Sequence, residues 1–273
     1  MEIPKGGIVG KIYGYWRQIR KMQIGLHAAN AGYFIALSLF PTLVLTLGLL
    51  RYAGMDAVDL LSLLSGFIPV ALIPAAEKLI ISMYAYTSTT VVSLSALGVL
   101  WSASRGIYGL LIGLNTIYGV REDRGYLYTR SISVLYTFLF LVVLLLTLIL
   151  NVFGETILEH LPPARGAFWE LLDSIVDFRF VVLLLLQTGL FTAMFMGLPN
   201  RKNKFSDSFP GAVLASSGWL LFSNLFSLYV EHWSGYANIY GSVYTAALSM
   251  LWLYFCLCLL FCGGALNKLL MKE

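Results

Sequence analysis

Carboxylates are missing from the long apolar runs of this sequence, apart from Asp207 at the mouth of one of them. A proton- or sodium-coupled exchanger ordinarily binds its cation on acids held inside the membrane, so that class is disfavoured. Histidine is scarce as well. His27, His160 and His232 are scattered and leave no clustered groups for metal-assisted or acid–base cleavage of RNA. The three cysteines, Cys256, Cys258 and Cys262, share a single apolar run. That placement excludes a disulfide framework, and two thiols four residues apart do not complete a zinc site. No Walker-type phosphate loop and no G-x-S-x-G elbow occurs. No enzyme class, cofactor or metal is expected.

Charge of either sign is sparse: 12% of the 273 residues are charged and 59% are hydrophobic. The mean hydropathy is +0.80. A soluble domain has about a quarter of its residues charged, so these values place the chain in the polytopic membrane class. The basic, aromatic N-terminus lacks the apolar run and cleavage site of a secretory signal and is expected to be retained.

A spanning helix needs about 20 mostly apolar residues. Six runs qualify, near 29–50, 89–119, 131–153, 180–198, 209–230 and 242–267. The expected fold is all-α: one membrane domain of six transmembrane helices over 28–273, preceded by a basic amphipathic helix over 1–27. The segment between the first two runs is broken by Pro69 and Pro74. It and the acidic stretch 155–178 are expected to form short amphipathic helices at the interface.

Basic residues orient this layout. Thirteen of the eighteen Lys and Arg fall in the N-terminal segment, the second and fourth loops and the C-terminus. The alternate segments hold only Arg51, Lys78, Arg165 and Arg179. The positive-inside rule therefore places both termini in the cytoplasm. The N-terminal helix, with Tyr13, Tyr15 and Trp16 among its five basic residues, is expected to lie on anionic lipid. The net charge of +4 is small and one-sided, which points to lipid rather than nucleic acid as its counterpart.

The remaining basic residue, Arg105, sits near the middle of the second run. A charge there costs about 2.5–3.5 kcal/mol on insertion scales, and arginine cannot shed its proton. Trp101, Ser104, Arg105, Tyr108 and Asn115 share one helical stripe. Arg105 is accordingly expected to face the protein interior or a wet cavity. Its candidate partners are backbone carbonyls, Asn30, Asn115, Gln187, Asn224, tyrosine hydroxyls, an outer-loop acid such as Glu77, or an anion from outside. Gly98, Ser102, Gly106, Gly109 and Gly113 form a second stripe, the small-xxx-small pattern of closely packed helices. Tyr229, Trp233, Tyr236 and Tyr240 cluster near the outer end of the last hairpin, where an aromatic belt is expected ahead of the alternative, a substrate gate.

These stretches resemble the YihY/virulence factor BrkB family of bacterial inner-membrane proteins, once labelled as a ribonuclease. AANAGYFIALSLFPTLV, with Pro41, is similar to the family's first helix. LWSASRGIYGLLIGLNTIYG, with Trp101, Ser104, Arg105, Asn115 and Tyr118, matches its second. The fifth run supplies Pro210, Gly211, Trp219 and Tyr229; the last supplies Tyr240, Gly241, Trp252, Gly263 and Asn267. The family typically ends this span Gly-Ala-Glu-Leu-Asn, whereas Ala265 stands at the glutamate position here. A coupling mechanism built on that acid would be lost in this chain.

The resemblance implies six helices in the bacterial inner membrane and transport or envelope work, with lipid among the candidate cargoes. Two functions follow from the residues. One is a carrier or flippase for an anionic or amphipathic solute, with Arg105 attracting the negative group and Trp101, Ser104, Tyr108, Asn115 and Asn224 along its path. The other is a non-transporting scaffold in which the same residues form a buried polar network.

Overall fold

The computed structural model describes residues 14, 17–52, 81–82, 88–148, 179–232 and 237–271. Six long helices lie among them: α1 (Ile24–Tyr52), α2 (Thr89–Tyr118), α3 (Tyr126–Leu148), α4 (Arg179–Gly197), α5 (Phe205–His232) and α6 (Ala237–Leu270). No strand occurs among the described residues. Each helix covers one of the six apolar runs and extends past it or stops within a few residues of its expected ends. The match has a simple cause: in hydrocarbon the backbone must bond to itself, so a long apolar run bounded by charge leaves little alternative to a helix.

Four stretches, Thr89–Tyr118, Phe180–Gly197, Phe205–Val230 and Ala246–Leu270, are long and apolar enough over their described residues to cross a membrane. The amphipathic segments expected within 51–87 and 155–178, most of the N-terminal helix, Glu77, Trp233 and Tyr236 lie outside the described residues.

The chain divides into two compact units, one of residues 1–33 and 106–273, the other of residues 34–105. In the larger unit α5 packs most extensively on α6 and next on α4, and α3 rests on α4. Its core includes Leu110, Leu111, Leu114, Phe191, Met194, Phe195, Leu257, Leu260 and Phe261. Aromatic rings tie α4, α5 and α6 together. Phe191 lies 5.7 Å from Trp219, which meets Trp252 edge-on at 5.9 Å. Thr188 on α4 and Ser216 on α5 share a buried hydroxyl–hydroxyl bond of 2.6 Å. In the smaller unit, Pro41 of α1 packs on Gly98 of α2, where a Cβ would sit 3.4 Å from the proline ring.

Candidate functional site

Arg105 is the seventeenth of thirty residues in α2, about 20 Å of helix from either end. Its side chain is exposed, which leaves the wet cavity rather than the packed interior of the two surroundings expected from sequence. Two aromatic rings accompany it: the guanidinium carbon lies 5.9 Å from the Phe34 centroid and 5.7 Å from the Trp101 centroid. The rings themselves meet edge-on at 6.4 Å. Among the described residues no carboxylate pairs with Arg105. A planar, weakly hydrated cation between π faces gains about 0.5–2 kcal/mol per contact without being neutralised. Phe34 was not among the sequence candidates, because a ring on the preceding helix leaves no trace in the spacing of α2.

The polar stripe of α2 does not converge on one point. Ser104 is buried and its hydroxyl donates to carbonyls of its own helix, those of Leu100 and Trp101. Tyr108 is half-buried. Asn115 lies ten residues beyond Arg105, about 15 Å along the axis, and serves a different cluster.

That cluster begins where α2 stops. Gly119, at φ +69°, takes the left-handed conformation that ends the helix. Its N–H bonds to the Thr116 carbonyl and that of Val120 to the Asn115 carbonyl. The turn sends the chain back, so that buried Asn115 Nδ2 donates to Glu122 Oε2 at 2.7 Å. Asn115 Oδ1 accepts the Asn200 N–H, also at 2.7 Å, from the loop between α4 and α5. The Asn200 side chain donates in turn to the Arg121 carbonyl and to Asp123.

Arg124 completes the lattice. Its Nε and Nη2 donate to the two Glu122 oxygens at 2.7 Å each, and Nη2 also reaches the Leu198 carbonyl at 2.7 Å. The fork holds the Glu122 carboxyl below its ordinary range, chiefly through these hydrogen bonds from Arg124, against the opposing effect of burial. Glu122 correspondingly raises Arg124. The second and fourth loops, which the charge count assigned to one side, thus meet at one end of the helices.

A second polar knot joins α5 to α6. Asn267, fully buried, accepts the Gly211 N–H at 2.6 Å and donates to the Ser208 carbonyl at 2.9 Å. It thereby serves backbone groups on both sides of Pro210, which itself brings no N–H. Beside it the backbones of Gly211 and Gly263 touch. A Cβ on either glycine would collide with the carbonyl oxygen of the other. Four residues singled out from two separate runs, Pro210, Gly211, Gly263 and Asn267, are therefore neighbours. Ala265 is buried in the same helix.

The other sequence candidates are dispersed. Gly109 lies against Asn30 and Ala31, and Gly113 against Phe261 and His27; Gly106 is buried. Tyr118 is buried at the end of α2. Asn224 is exposed and donates to the Leu220 carbonyl of its own helix. Tyr229 is exposed, its ring 6.1 Å from Phe226. Trp252 Nε1 donates to Ser223 at 3.1 Å. Tyr240 and Gly241 lie in α6, and the Tyr240 side chain is outside the described ones.

A profile of the family described as Virulence factor BrkB matches residues 15–273. The chain is 31% identical over 246 residues to a Bacillus subtilis protein named putative ribonuclease-like protein YfkH, covering 90% of each. It is 24% identical over 262 residues to a UPF0761 membrane protein of Photobacterium profundum, covering 92% of this chain and 77% of that one. No solved structure matches.

Proposed function

The chain belongs to the virulence factor BrkB family and is a multi-pass protein of the bacterial inner membrane; from that premise we propose that it is a flippase-like carrier for an anionic, amphipathic lipid. The observation that carries this reading is Arg105: an exposed cation far from both ends of a spanning helix, flanked by Phe34 and Trp101 and lacking a carboxylate partner among the described residues. A permanent charge at that depth is costly unless something anionic or aqueous meets it. A phosphate-bearing headgroup supplies the missing negative charge and matches the planar guanidinium fork. The two rings hold the fork in place without competing for its protons, since an aromatic face accepts no strong hydrogen bond.

The same residues disfavour other chemistry. Cation coupling through carboxylates has no acid to work with in the apolar runs, and Ala265 stands where the family resemblance implies a glutamate. The ribonuclease wording in the Bacillus relative's name is not carried to this chain, whose histidines are dispersed. The N-terminal basic helix and the cytoplasmic placement of both termini belong to the same proposal.

The test is lipid movement in proteoliposomes holding the full chain, followed with headgroup-labelled anionic and zwitterionic phospholipids. Movement of the anionic lipid that drops tenfold or more in Arg105→Gln, with an intermediate rate in Arg105→Lys, supports the carrier. Wild-type protein that moves neither lipid, or Arg105→Gln acting like wild type, assigns the chain to the scaffold reading instead.

A further inference from the structure

The seam between α3 and α4 carries a feature that the Arg105 reading does not use. At its loop end is an open cleft of about 740 Å³, walled by Arg124, Tyr128, Tyr136, Arg201, Lys202 and Asn203 among others. Directly along the same two helices follows a second groove of about 520 Å³, lined entirely by apolar residues, among them Leu139, Val143, Leu185 and Leu186. Ala193 belongs to both walls. Each volume lies within the range of small-molecule sites, about 300–1,000 Å³.

The two compartments differ in chemistry in the way the two ends of a membrane lipid do. In the first, Arg124 is committed to Glu122 and the Leu198 carbonyl, so it shapes the wall more than it charges it. Arg201 and Lys202 are exposed and carry no ion pair among the described residues. They leave the cleft with a surplus of positive charge at the level of the loops. Asn203 is buried, holds the Phe195 carbonyl through Nδ2 at 2.8 Å, and its Oδ1 has no donor. Asn203 is thereby a polar, internally bonded part of the cleft wall. Between the compartments the Tyr136 hydroxyl donates to the Ala193 carbonyl at 2.7 Å, over Gly197, whose lack of a Cβ makes room for it. The boundary from polar to apolar wall is thus built from backbone and held in place.

The apolar groove stays open for a similar reason. Gly189, half-way along α4, faces space: a Cβ there would meet nothing within 4 Å. Any larger residue at this position would fill the groove instead of disturbing the packing around it.

We infer that the α3–α4 seam is a binding site for an anionic glycerophospholipid, with the phosphate at Arg201 and Lys202 and an acyl chain along Leu139, Leu185 and Gly189. A soluble phosphate compound would use the first compartment and leave the second unexplained. A zwitterionic lipid would use the second and gain little from the first. This site is separate from Arg105 and holds whether the chain moves lipid or only binds it.

The test is native mass spectrometry of the full chain in non-ionic detergent, titrated with dioleoyl phosphatidylglycerol, dioleoyl phosphatidylcholine or glycerol 3-phosphate. Phosphatidylglycerol is expected to form a discrete first adduct at least tenfold tighter than phosphatidylcholine. Arg201→Ala with Lys202→Ala is expected to remove that preference. Gly189→Leu is expected to weaken the adduct about as much while every charge stays in place. Arg105→Gln is expected to leave it intact, which separates failure here from failure of the carrier reading. Helical circular dichroism checks the fold of each variant. Two outcomes overturn the inference. One is a phosphatidylglycerol adduct insensitive to Gly189→Leu, which means diffuse surface charge. The other is glycerol 3-phosphate competing as well as the lipid, which means a soluble ligand.

Discussion

Asn115 and Asn200, 85 residues apart, are joined by a 2.7 Å hydrogen bond from the Asn200 N–H to Asn115 Oδ1. Through it the buried end of α2 fixes the loop that links α4 to α5, while Asn115 Nδ2 holds Glu122. One side chain thereby ties together two loops that no local pattern connects.

Asn115→Ala removes both bonds and leaves a half-buried backbone N–H and a carboxylate short of a partner. Hydrogen bonds to charged groups are worth about 1.5–3 kcal/mol, so the loss should be about 2–3 kcal/mol. It should appear as a lower Tm of the purified protein in detergent. Asn115→Asp should be worse than Asn115→Ala, because its carboxylate would oppose that of Glu122.

Glu122 makes stability depend on pH. Its folded pKa is lowered, first by the hydrogen bonds from Arg124, so its contribution is complete above the unfolded value of about 4.3. The contribution is lost as pH falls from there through the lower folded value. The gap in Tm between wild type and Glu122→Gln should be constant from pH 7 to about 5 and should close below that. A gap that widens on acidification would contradict the Arg124–Glu122 assignment.

Gly211 and Gly263 should tolerate nothing larger. Because a Cβ on either meets the other's backbone carbonyl, α5 and α6 must separate to admit it. Gly211→Ala should cost about 3 kcal/mol, at the upper end of ordinary overpacking, and should lower Tm accordingly. Gly189→Ala is the matched control. Its added methyl meets open space, and helix propensity alone should make it neutral or stabilising by up to about 1 kcal/mol.

The helices were readable in the sequence because each apolar run can satisfy its backbone in essentially one way, and charged or glycine-bearing loops mark the ends. Individual motif residues such as Asn267 and Gly211 could be singled out, but not their meeting, since helix period says which residues share a face and not which faces touch. Asn115 was grouped with Arg105 by that same period, although about 15 Å of helix separates them and the turn at Gly119 gives it other partners. The loop cluster of Glu122, Arg124 and Asn200 was missed as a site. Its only sequence signal was the dense run Arg121-Glu122-Asp123-Arg124 facing the basic stretch after Pro199. The outward aim of Arg105 and its pairing with Phe34 depend on how α1 lies beside α2, which composition does not encode.

As a station for an anion, Arg105 has to be reached by water. The most direct measurement replaces it, Arg105→Cys, in a variant lacking Cys256, Cys258 and Cys262, and asks whether a polar, membrane-impermeant thiol reagent labels the position in proteoliposomes. Labelling from at least one side is expected. Labelling only by a membrane-soluble reagent, in a variant that remains folded, would put position 105 against lipid tails and contradict a carrier built on Arg105.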